Sequence, residues 1–141
     1  MKSRSVLDTL QDYANAYCAK DIDALMAVFD QGDHISVIGT GADELCAGST
    51  QVRDMFLRNF GEAQANRFEW HWTHVYEHGD QAMMAVTLTI HLEADGNNLK
   101  IPIRWTVVLR RRSDRWLWVH RHASTAAATQ DKGRAYPTSN A

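Results

Sequence analysis

A basic excess and a long apolar run are both missing from this chain, and each absence argues against a class of function. Fifteen lysines and arginines stand against seventeen aspartates and glutamates. With a formal charge of -2 there is no positive field to hold a phosphate backbone, so nucleic acid is excluded as a partner. No apolar stretch is long enough to cross a bilayer, and no membrane role is expected. Lys2 and Arg4 at the start run into Asp8, Gln11 and Asp12 instead of an apolar segment, so no secretion signal is expected. Cysteine occurs twice, as Cys18 and Cys46, without metal-ligand spacing or the density of a disulfide framework. Free thiols in a reducing cytoplasm are the expectation.

What is present is enough for a single domain. The 141 residues are 45% hydrophobic, in the range that builds one core. Val6, Leu7, Leu10, Ala14, Tyr17 and Cys18 recur at helical spacing between about Arg4 and Ala19. Asp21 reads as the N-cap of a short helix through Leu25 and Phe29. His34 to Ile38 reads as a short strand ended by Gly39-Thr40-Gly41, and Ser49 as the cap of a third helix through Phe60. After Asn66 the period becomes two. Four runs follow, Phe68 to Tyr76, Ala82 to Leu92, Ile101 to Leu109 and Trp116 to Ala123, separated by Gly79-Asp80, Asp95-Gly96-Asn97 and Ser113-Asp114. Short turns make such strands antiparallel neighbours, and their length forces a coiled sheet. The expected fold is α+β, three N-terminal helices packed in a curved antiparallel sheet. One domain is expected over residues 1–124, with a loose tail over 125–141.

Three segments carry a resemblance. They are Ala19-Lys20-Asp21-Ile22-Asp23-Ala24-Leu25-Met26, then Ile38-Gly39-Thr40-Gly41-Ala42-Asp43-Glu44 with Gly48, and Arg111 to Ser124 (RRSDRWLWVHRHAS). In that order they resemble the nuclear transport factor 2-like superfamily and its SnoaL-like branch. The last segment, with Gly79-Asp80-Gln81-Ala82, is also similar to the association domain of calcium/calmodulin-dependent kinase II. The resemblance implies a cone-shaped pocket between the first helix and the sheet, and a homodimer through the outer sheet face. The cyclase and isomerase members place a carboxylate inside the cone. The association domain places arginines there, where this chain is expected to carry Val107 and Ala123.

Trp70, Trp72 and His74 on one strand, Trp105 on another, and Trp118, His120 and His122 on the last converge if their faces agree. They would form an apolar pocket for a small hydrophobic molecule. A histidine desolvated among indoles stays neutral and serves as a base. In a catalytic reading His74 or His120 is that base and Tyr17 the donor to a developing oxyanion. Trp70, Trp72, Trp105, Trp118 and His122 would line the ligand. In the rival reading these rings are ordinary core. Alternation sets His71 and His74 on opposite faces, and His120-x-His122 lacks a third ligand nearby, so no metal centre is expected. No motif demands a cofactor: Gly39-Thr40-Gly41 has Glu44 where a dinucleotide loop needs glycine. Three functions remain open, namely a ligand-binding module, a small acid/base enzyme acting on a hydrophobic carbonyl compound, and a homo-oligomeric association domain.

Overall fold

A computed structural model describes residues 4–137; residues 1–3 and 138–141, at the outer ends of the expected domain and tail, lie outside the described residues. Three helices, α1 (Asp8–Cys18), α2 (Ile22–Met26) and α3 (Ser49–Glu62), accompany six strands. The strands are β1 (Ser36–Ile38), β2 (Leu45–Ala47), β3 (Gln64–His78), β4 (Gln81–Ala94), β5 (Asn97–Arg112) and β6 (Arg115–Ser124). They form one curved, open sheet in the order β2-β1-β6-β5-β4-β3. The helices fill its concave side, so the α+β expectation holds.

Local chemistry sets the elements. The Asp21 carboxylate accepts from Ala24 N–H at 3.0 Å and caps α2. Asp95 and Gly96 both take positive φ, 51° and 76°, as the tight β4–β5 hairpin requires. Two expectations change. Gly48 (φ 85°), not Ser49, occupies the cap position of α3, and the Ser49 hydroxyl instead donates to Gly32 C=O. The sheet is also not wholly antiparallel, because β1 pairs with β6 in parallel and β2 adds a strand beyond it.

The core is aromatic. Tyr13, wholly buried on α1, stacks on Trp118 with centroids 4.9 Å apart and meets Trp105 edge-on at 4.9 Å. The Trp118 indole N–H donates to Thr9 Oγ1 at 2.8 Å, which satisfies the one polar atom of a fully buried ring.

Three register shifts interrupt the ladders, one of them at Asn66, and the other two decide which of the aromatic and histidine side chains enter this core. Between the pairs Trp70↔Leu88 and Thr73↔Val86, His71 and Trp72 together oppose Thr87. Between Leu109↔Trp118 and Val108↔His120, Val119 is the extra residue. Each insertion reverses the alternation downstream of it.

Candidate functional site

Because of the β6 bulge, Trp118 points inward, His120 and His122 outward, and Arg121 inward. Arg121 is 6% exposed. Its guanidinium lies over the rings of Trp105, Phe56 and Tyr13 at 5.3, 5.8 and 5.9 Å. Its Nη1 donates to the Tyr13 hydroxyl at 2.8 Å. Nε is buried without a hydrogen-bond partner, and among the described residues no carboxylate pairs with this charge. A buried cation normally carries a counter-ion, because desolvation costs several kcal/mol. Here ring faces and one phenol supply the compensation.

Arg121 lines a small cavity of about 100 Å³ with Tyr13, Tyr17, Trp105, Asn59, Ile103 and others. Tyr17, Glu44, Asn59, Ile90 and Ile103 also line a wider vestibule of about 490 Å³, which adds Leu92 and Ile101 as apolar wall and Asp43, Arg58 and Glu62 as rim. The shared residues join the two into one funnel. A groove of about 440 Å³ between α1 and α2 is comparable in size, but its one buried polar side chain, Thr9, is already bonded to the Trp118 indole and to Val6 C=O.

Glu44 guards the funnel. Its Oε1 accepts from Gly41 N–H at 2.8 Å, and its Oε2 lies 3.7 Å from Arg58 Nη2. Arg58 Nη1 also donates to Asp43 at 2.8 Å, and that bond holds the Asp43 carboxyl below its usual range. A Cβ on Gly39 would stand 2.6 Å from Glu44 Oε1 and 2.9 Å from Glu44 Cβ. The Gly39-Thr40-Gly41 turn therefore wraps a carboxylate that belongs to the chain itself. Burial pushes the Tyr13 hydroxyl up, with the Arg121 charge drawing it partly back. Burial likewise raises Tyr17. Both are neutral donors at physiological pH.

The expected site residues divide sharply. Tyr17 and Trp105 line the cavity. Trp70 packs on Trp105 (5.9 Å), and Trp118 is buried beneath it at 5.7 Å, so both support the wall without facing the hollow. Trp72, His74, His120 and His122 are corrected: the bulges turn them onto the outer face, where Trp72 is 57% exposed and stacks on His74. His71 joins them there, bonded to Thr89, so it does not lie opposite His74. Val107 and Ala123 do lie inward, as placed, but Arg121 between β5 and α1 went unforeseen. The RH pair of the last strand held the signal, had Val119 been read as an insertion.

Comparison with known proteins agrees with this architecture. The SnoaL-like domain family matches residues 6–128, and the chain belongs to it. A search of curated proteins finds no match. Among solved structures, a protein from Thiobacillus denitrificans named for the calcium/calmodulin-dependent protein kinase type II association domain is similar, with a TM-score of 0.71 and 25% identity over 90% of this chain and 99% of that one. A nuclear transport factor 2-like protein of unknown function from Pseudomonas putida gives a TM-score of 0.74 at 18% identity over 96% and 94%. A protein with a cystatin-like fold from Caulobacter vibrioides gives 0.68 at 16% over 87% and 88%.

Proposed function

We propose that this SnoaL-like domain binds a small organic anion, a carboxylate on a compact apolar body, with Arg121 as its anchor. One observation carries the reading: a guanidinium buried at the floor of a funnel, with an unpartnered Nε–H and, among the described residues, no carboxylate in ion-pair contact, although Glu44 lines the same cavity. An incoming carboxylate would supply the missing charge and accept from the guanidinium. The apolar body would rest against Ile90, Leu92, Ile101 and Ile103. In calorimetric titration, benzoate or butyrate should bind and the corresponding amides should not. Arg121→Lys should weaken binding at least tenfold, because a compact ammonium lacks the planar fork. Equal binding of acid and amide would rule the reading out.

Glu44 supports a second reading, because a carboxylate and Tyr17 share the funnel with a fixed cation. That set has the parts for proton transfer at a carbon next to a carbonyl, with Glu44 as base and Arg121 and Tyr13 facing the oxyanion. Glu44→Gln losing turnover while retaining ligand affinity would distinguish the enzyme from the binder. For partners, we propose a homodimer through the outer sheet face, supported by the exposed Trp72, Tyr76 and Val108. Cys18 and Cys46 are unpaired, which supports a reducing compartment, the cytoplasm. No helix among the described residues is long and apolar enough to cross a membrane.

A further inference from the structure

We infer that His120 and His122 on the outer face form a two-imidazole chelate for a divalent late transition metal ion, a site separate from the funnel behind them. The pair lies on β6, a central strand of the sheet, two residues apart and on the same side. Their ring centroids are 6.4 Å apart with planes at 75°. Two imidazoles on one tetrahedral ion, with metal–nitrogen bonds of about 2.0–2.1 Å, bring their ring centres to about 5 Å. Closing a gap of roughly 1 Å needs only a small side-chain rotation, and exposed His122 is free to make it.

His120 is already oriented. Its Nδ1 is 2.8 Å from Ser36 Oγ on β1, which leaves Nε2 facing outward. Metal-binding histidines are commonly set by such a second hydrogen bond at the far nitrogen. His122 has no hydrogen-bond partner among the described residues. The neighbours on this face are uncharged: Ser36 and Ile38 from β1, Thr106 and Val108 from β5. The nearest charges along β5 are Arg104, held by Ser124 and Thr125, and Arg110. Burial, followed by the neighbouring His122, lowers the His120 pKa. No group of three or more His, Cys, Asp or Glu among the described residues is arranged to hold a metal ion, so water or a second copy would complete the coordination.

The test is a titration of the untagged full chain with Ni²⁺ by calorimetry and with Cu²⁺ by visible absorption. Micromolar binding is expected, tighter for Cu²⁺ than for Ni²⁺. His120→Ala and His122→Ala should each weaken it at least tenfold with unchanged circular dichroism, whereas His78→Ala should not. One ion per chain marks a surface chelate and one per two chains a shared four-imidazole centre; either requires both side chains. Absence of binding at 1 mM Ni²⁺, or substitutions at 120 and 122 that leave affinity intact, overturns the inference.

Discussion

Arg121 donates from Nη1 to the Tyr13 hydroxyl at 2.8 Å while its Nε has no partner in the interior. This half-satisfied guanidinium carries the cost of a desolvated charge, which the proposed anion would offset. Arg121→Met keeps the volume and removes the charge. It should stabilise the ligand-free protein by roughly 1–3 kcal/mol and raise Tm by a few degrees in calorimetry, while anion binding disappears. A lower Tm in the variant would mean that the ring contacts already outweigh the charge penalty.

The turn around Glu44 makes a steric prediction. Gly39→Ala places a methyl 2.6 Å from Glu44 Oε1 and 2.9 Å from its Cβ, so the side chain or the turn must move. A loss of about 1–3 kcal/mol in denaturant unfolding is expected. Glu44→Ala on the same background should recover most of it, which a purely backbone effect would not allow.

Asp30 gives a pH prediction. Burial works to raise its pKa, but hydrogen bonds from Arg112 Nε (2.8 Å), His34 Nε2 (2.9 Å) and Gln31 N–H (2.9 Å) prevail and hold it at about 2. Its folded-state value lies below the unfolded one near 3.9. The contribution is therefore fully present above about pH 4 and is lost as pH falls towards 2. Asp30→Asn should cost about 2 kcal/mol at pH 7 and flatten the acid limb of a stability–pH curve. An unchanged acid limb would remove Asp30 from the explanation.

Self-association is checked by light scattering at micromolar concentration. The expected mass is that of a dimer, and Trp72→Glu, which puts a charge on the proposed interface, should shift it to the monomer. A monomeric parent protein contradicts the outer-face dimer, and a species larger than a dimer favours the association-domain alternative.

Much of the fold was legible because period-two runs and turn residues mark local geometry directly. Asp21 capped its helix, and Asp95-Gly96 turned its hairpin, with no help from distant contacts. The site was legible only in part, for a definite reason. Side-chain direction along a strand is cumulative, so one inserted residue inverts everything after it. His71-Trp72 and Val119 are such insertions, set by pairing with β4 and β5 and carrying no glycine to announce them. Trp70 and Trp118, before the insertions, face inward as the pattern implies. His74, His120 and His122, after them, do not, and Arg121 takes the inward place. β2 escaped notice because three residues pairing with β1 leave no periodicity to detect.

The most direct measurement of the central claim is the side-chain Nε–Hε resonance of Arg121 in ¹⁵N-labelled protein, assigned by its loss in Arg121→Lys. If that group waits for an anion, adding benzoate should move the signal downfield and slow its exchange with water, and benzamide should leave it where it was. A carboxylate that binds without disturbing this resonance would show that the buried guanidinium is not its receptor.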